Sequence, residues 1–486
     1  MDVPAEATNG SRSARLSLDD ENPVYGRALW TVSLVLFSAS VFLTLVSHGA
    51  VYPAAAALAT GLMCLALTCL YFGLGVPVQV RLVFHSALVM WLIIVAIGLL
   101  QILPIPFQIT GHPAWQVLFD LGIGDESFAS VAPANVQSAL VPIALPFAGL
   151  LTALLLFRNE KQIDLAYRAF CLTGGVVAAI SVVQFVAFPD TLFFGPKVYY
   201  TNSLTGPFVN RNTAATFYGV TLLAHMAKLS GLSLPSLFQS PARSRSRSLT
   251  RSDILLLCSS IMTFVALLLT ASRAGITASA IGILVFTVGI VLYPPPKSHA
   301  EAFRSDKQNS RSRRVTIALA LAASVAALVW FFSGRAALRV ETGGLEDLRF
   351  CVWPGILKGA DDNWLTGVGL GGFEPYFPSY RDPACGTGLW EYAHNFYLDA
   401  YFAIGIIFVP LVLVALTFLL TVLARGIANR RRSRPLVWAG IASVVIVAVH
   451  SMIDFSIQIP GFGLWWAVLI ALSARTSLGR QSRTSG

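Results

Sequence analysis

Long apolar stretches separated by short polar ones set the pattern of this chain. Taking about 20 mostly apolar residues as the length that crosses a bilayer, twelve stretches qualify: 28–48, 52–72, 82–103, 138–157, 167–188, 213–230, 253–271, 274–293, 315–333, 396–424, 436–453 and 459–474. The pairs 28–48 with 52–72, 253–271 with 274–293, and 436–453 with 459–474 predict helical hairpins with very short turns. One long polar stretch, residues 334–394, is neither terminal nor basic, and it predicts the working face. No repeat of fixed period is present, and no inverted repeat clear enough to argue for a transporter; the scarcity of charged residues within the spans, Asp399 and Asp454 excepted, counts against one.

Composition agrees with the pattern. With 486 residues, 55% hydrophobic and 12% charged, and a mean hydropathy of +0.69, the chain has too little polar surface for a water-soluble globule. The expected fold class is an all-α polytopic membrane protein of about twelve transmembrane helices with one long external loop. The net charge of +10 would suggest nucleic acid in a soluble protein. Here 26 of the 34 Lys and Arg residues fall on one side of the membrane when the N-terminus is placed in the cytoplasm, so the positive-inside rule explains them. Membrane lipid is therefore the expected surroundings, and no nucleic-acid partner follows. Met1 to Pro23 is polar without an apolar h-region, so it does not read as a cleavable signal peptide, and the first span would serve as the targeting signal.

The expected organisation is a cytoplasmic tail at 1–27, five N-terminal helices over 28–188, a catalytic region over 189–475 that includes the loop 334–394, and a cytoplasmic tail at 476–486. Segments 231–252 and 294–314 are rich in Ser and Arg and read as solvated cytoplasmic connectors near anionic headgroups.

Few external residues can carry chemistry. Arg211, in Asn210-Arg211-Asn212, and Arg273, in Ser272-Arg273-Ala274-Gly275, sit at membrane boundaries, where charge is costly without a partner or water. An arginine fork suits a phosphate or pyrophosphate; the alternative is that each snorkels to headgroups or pairs with an acid such as Asp454. His394 closes the long loop, and its near-neutral pKa makes it either a general base or a simple hydrogen-bonding residue at a helix start. His450 and Asp454 are four apart, hence on one helical face, where Asp454 could orient an arginine or histidine or stabilise the bundle. Gly367-Val368-Gly369-Leu370-Gly371-Gly372 follows no strand and has no Walker lysine, so nucleotide binding is discarded in favour of a turning loop. Asp361-Asp362 reads as a solvated pair before it reads as a cation site, no His/Cys cluster has metal-site spacing, and no metal or cofactor is expected. Cys64, Cys69, Cys171 and Cys258 lie in apolar runs; Cys351 and Cys385 share the loop and are the pair that could bridge if it faces an oxidising compartment.

In order along the chain stand Gly206-x-Phe208-x-Asn210-x-Asn212, Ser272-Arg273-Ala274-Gly275, Arg349-x3-Trp353, Gly367-x-Gly369-x-Gly371-x-Phe373, His394-Asn395-x-Tyr397-Leu398 with Gly405, and His450-Ser451-x2-Asp454-Phe455. This ordered set resembles the O-antigen ligase and polymerase superfamily of bacterial envelope proteins, most clearly over residues 195–460. The resemblance implies a metal-independent, inverting glycosyltransferase of the GT-C type in the inner membrane. It would work on the periplasmic face with an undecaprenyl-pyrophosphate-linked glycan as donor and a glycan or lipid A-core as acceptor. It implies that Arg211 and Arg273 bind the donor pyrophosphate, that His394 activates the acceptor hydroxyl, and that Arg349 and Asn395 contact substrate, with Asp454, Asn210 and Asn212 in support. Many relatives carry a Glu about one turn after the His-Asn motif, where this chain reads Tyr401-Phe402-Ala403-Ile404-Gly405, so Asp399 or Glu391 must substitute or the role is absent. Ligase-like transfer is the first reading, polymerisation of repeat units the second, and transport of lipid-linked sugars a rival from another class.

Overall fold

The computed structural model describes residues 23–106, 111–124, 126–193, 195–230, 250–295, 348–386 and 388–479. Its helices are α1 (Pro23–Val46), α2 (Pro53–Leu74), α3 (Arg81–Ile102), α4 (Ala114–Asp120), α5 (Pro133–Leu156), α6 (Glu160–Ala187), α7 (Arg211–Leu229), α8 (Arg251–Leu269), α9 (Arg273–Leu292), α10 (Leu348–Asp362), α11 (Phe396–Ile404), α12 (Phe408–Asn429), α13 (Arg434–His450) and α14 (Pro460–Leu478). Two small antiparallel hairpins, Ile105–Pro106 with Glu126–Ser127 and Thr191–Leu192 with Gly195–Pro196, interrupt the loops. Eleven of the twelve expected spans are helical; the other, 315–333, lies outside the described residues.

Among the described residues, ten segments are long and apolar enough to cross a membrane. The most apolar of them, Phe396–Asn429, is the least buried, and the least apolar, Pro460–Leu478, is the most buried. That inversion is what a lipid solvent imposes: outer helices face hydrocarbon, whereas an inner helix faces other helices and can be more polar. The protein is an all-α, multi-pass membrane protein. Helix α7 is the extreme case, packed against α6, α8, α9 and α13, with Thr213, Thr216, Thr221 and His225 all buried.

The loops sort into two ends. At one, Arg158 donates to the Leu74 and Gly75 carbonyls at 3.0 and 2.8 Å, Arg430 pairs with Glu160, Lys228 pairs with Asp164, and Arg434 donates to the Pro294 carbonyl at 3.1 Å. At the other, Gly461 N donates to Gly49 O at 2.8 Å, Asn135 to Gly371 O at 3.2 Å, and Arg349 to Ile453 O at 3.4 Å. Pro294 and Arg349 thus lie at opposite ends.

The loop after residue 348 has its own small core, in which Val352, Ile356, Phe373, Phe377 and Phe402 are buried together. Cys351 and Cys385 are disulfide-bonded across it, with Cα atoms 5.7 Å apart, which closes the question the sequence left open. The glycine run is a turning segment, as read from sequence. Val368 N and Gly369 N donate to the Phe402 and Ala403 carbonyls at 2.9 and 3.0 Å, and Val131 N donates to Val368 O at 2.9 Å. Positive φ at Gly367, Gly369 and Gly371 (67°, 100° and 73°) lets the segment thread between those neighbours.

Candidate active site

Two helices begin at the end of the bundle that carries Gly49, Gly371 and Ile453, each with an arginine in its first position. Asn210 caps α7 by accepting from Asn212 N at 2.8 Å, and Ser272 caps α9 by accepting from Gly275 N at 3.2 Å, so Arg211 and Arg273 each follow a cap. A cation at a helix N-terminus has the wrong sign for the helix dipole. Having it twice, side by side, makes a concentrated positive region whose natural complement is an anion.

A chain of buried hydrogen bonds fixes the two starts relative to each other. Asp454, fully buried, accepts from Asn212 Nδ2 at 3.0 Å, from Ser456 N at 2.8 Å, and from Ser456 Oγ. Asn212 Oδ1 in turn accepts from Ser272 Oγ at 2.7 Å. Asp454 therefore reaches through Asn212 to Ser272, the residues adjoining Arg211 and Arg273. Below it, Thr216 Oγ1 donates to Asn212 O at 2.9 Å and lies 2.6 Å from His450 Nδ1, so His450 supports the network from inside the bundle. Arg211 lies within electrostatic reach of Arg349 and Arg273, and its guanidinium sits over the Tyr200 ring at 5.3 Å.

His394 completes the group. Its ring meets the edges of Trp390 and Phe455, with centroids at 5.3 and 4.9 Å, and Phe455 is itself stacked on Tyr392 at 4.4 Å. Nδ1 is buried with no hydrogen-bond partner among the described residues. Burial holds the His394 pKa down to about 4; the nearby Arg349 cation adds to the lowering and Asp454 opposes it. The ring is accordingly neutral near pH 7.

His394 takes φ of 51°, in the left-handed region that non-glycine residues rarely adopt. Tyr200 (φ 59°) and Ala271 (φ 50°) do the same, one beside Arg211 and one two residues before Arg273. Strained backbone thus accompanies all three candidate residues, as it does where a site over-determines its geometry.

Asn395 caps α11, accepting from Tyr397 N and Leu398 N at 3.0 and 3.1 Å, so its oxygen is committed to the helix and only its amide N–H2 remains to meet a ligand. Asp399, one turn later and buried, accepts from Ala393 N at 2.9 Å and so braces the backbone immediately before His394. Glu391 is exposed. The Ala403 carbonyl accepts from Gly369 N and, at 3.2 Å, from Gln101 Nε2. Sequence reading missed Tyr200, Gln101 and Ser456. Ser456 alone had a signal, standing two residues after an acid in a turn, as an Asx-type motif would.

Residues 258–413, about a third of the chain, match the family model described as O-antigen ligase. No curated protein matches the chain. The matched stretch contains Ser272, Arg273, Arg349, the glycine run and His394, whereas Arg211, Asn212 and Asp454 lie outside it; Asn212 bonds to Ser272 within it and Asp454 to Asn212.

Proposed function

From an O-antigen ligase family region on an all-helical multi-pass frame, we propose that this protein moves a glycan from an undecaprenyl-pyrophosphate carrier to an acceptor at the periplasmic face of the bacterial inner membrane, with both termini in the cytoplasm. The catalytic region comprises residues 189–475, and transfer is ligase-like, onto a glycan or lipid A-core acceptor. The observation that carries the reading is the pair of arginines on adjoining helix starts beside a neutral, strained histidine.

Pyrophosphate is the leaving group, so negative charge grows on it as the glycosidic bond breaks. Arg211, Arg273 and the two helix N-termini offer fixed positive charge for that moment without a metal. With the neutral ring carrying its proton on Nδ1, His394 Nε2 takes the proton of the acceptor hydroxyl, whose oxygen attacks the anomeric carbon from the face opposite the pyrophosphate. One bond forms as one breaks, and the configuration inverts. Burial chiefly, with the cation of Arg349 adding to it, keeps His394 unprotonated, and the negative charge of the arriving donor raises its affinity for a proton.

The test is the glycan profile of strains in which the wild-type copy is replaced by His394→Ala or Arg273→Ala. Normal membrane insertion with long chains stranded on the lipid carrier is expected. Single repeat units stranded there would instead identify a polymerase, and repeat units held on the cytoplasmic leaflet a transporter. Wild-type profiles from both variants at equal protein level would overturn the assignment of these residues.

A further inference from the structure

Beside Trp390, whose ring also contacts His394, the loop forms an open cavity of about 180 Å³, lined by Phe377, Pro378, Arg381, Gly388, Leu389 and Trp390. Its floor is rigid. Phe377 belongs to the buried loop core and stacks on Phe373 at 5.1 Å, and the Cys351–Cys385 disulfide ties the adjoining turn to α10. Arg381 Nη1 donates to Gly388 O at 2.6 Å, which fixes the guanidinium against the far side of the lining. Among the described residues no carboxylate forms an ion pair with Arg381. The adjacent Asp382 carboxylate is turned back to accept from Ala384 N at 2.8 Å. Four N–H bonds of a fork that suits carboxylate or phosphate are left unspent.

The cavity is well below the roughly 300–1,000 Å³ of drug-sized ligand sites, and it has the size and amphipathic walls for one sugar ring. We propose that it is a subsite for a single acidic sugar unit, a hexuronate or a phosphorylated hexose, whose apolar face lies on Trp390 above the buried Phe377 and whose anionic group meets Arg381. Resting on the reading of His394 as the base, that unit is part of the acceptor, one ring removed from the hydroxyl being activated, because the Trp390 ring that walls the cavity also contacts the His394 ring. The chain thus selects acceptors that carry negative charge next to the accepting sugar.

Binding tests this without requiring transfer. The purified full chain in phosphatidylcholine nanodiscs is titrated with methyl glucuronide, glucose 6-phosphate and, as the neutral control, methyl glucoside, with saturation-transfer NMR as the readout. Both acidic probes are expected to bind roughly tenfold or more tightly than the glucoside. Arg381→Gln should erase the difference, Arg381→Lys should keep part of it, and Arg273→Ala should leave it intact. Equal binding of all three probes, or an acidic preference that survives Arg381→Gln and disappears with Arg273→Ala, would overturn the proposal, the second outcome by moving the anion to the donor site. An acidic preference lost when anionic phosphatidylglycerol replaces the neutral lipid would assign Arg381 to headgroup phosphate instead.

Discussion

Replacing Asp454 with asparagine measures how far the buried hydrogen-bond chain controls the arginine pair. The Asp454 carboxylate takes bonds from Asn212 Nδ2, Ser456 N and Ser456 Oγ with no exposure to solvent. Asparagine keeps the shape but has one acceptor oxygen in place of two. Whichever way its amide turns, an N–H2 group faces either the Asn212 amide or the Ser456 N–H, donor against donor. A hydrogen bond to a charged group contributes about 1.5–3 kcal/mol, so the loss of one costs roughly 2 kcal/mol, equivalent to about 30-fold in donor affinity if the donor site feels all of it. The assay is transfer by the purified chain in nanodiscs, with donor concentration varied, for Asp454→Asn, Asn212→Ala and the double variant. Each single variant should raise the donor KM by up to that factor, and the double variant should be little worse than the worse single one, because both cut the same link. Additive effects, or an unchanged donor KM in folded Asp454→Asn, would refute the argument.

Three further outcomes are expected. Because the His394 pKa is held down to about 4, its basic form persists well below the usual imidazole value, so kcat/KM should stay level from about pH 7 to about pH 5 and fall only nearer 4. Arg349→Gln, which removes a cation that lowers it, should move that limb upward in a pH–rate profile; a wild-type limb near 6.5 would contradict the assignment. Tyr200→Leu removes the ring under Arg211, a contact worth about 0.5–2 kcal/mol, and should weaken donor binding in an equilibrium titration while Tyr200→Phe preserves it. Breaking the Cys351–Cys385 bond, which closes a 34-residue separation, should cost about 3–4 kcal/mol and release α10 with Arg349. Thermal melting of Cys385→Ser against the oxidised wild type checks this, and an unchanged melting temperature would contradict it.

The spans were legible because length and apolarity alone define them, and their ends were less so for a physical reason. Sequence reading starts the fifth span at 167, whereas α6 begins at Glu160 behind a capping box of Asn159 and Gln162, seven residues of polar helix that hydropathy does not count. The expected single helix 396–424 is α11 and α12, broken at Gly405 (φ 64°), where a Cβ would stand 2.5 Å from Leu365 O. Of the site, the charged residues were visible as rare polar groups at boundaries. What joins them was not, because Asn212, Ser272 and Asp454 are separated by 60 and 242 positions and are brought together only by packing. Gln101, which holds Leu370 N and Ala403 O from a helix far upstream, carried no local signal at all.

The polarity of α7 also bears on how the protein is made. A helix with Asn212, Thr213, Thr216, Thr221 and His225 all turned inward, and outside the ten segments apolar enough to cross a membrane, gains little by leaving the translocon for lipid on its own. In the folded protein α6, α8 and α9 pack around its polar residues. A chain truncated near residue 230 is therefore expected to integrate α7 poorly, so that the placement of Arg211 would depend on helices made after it.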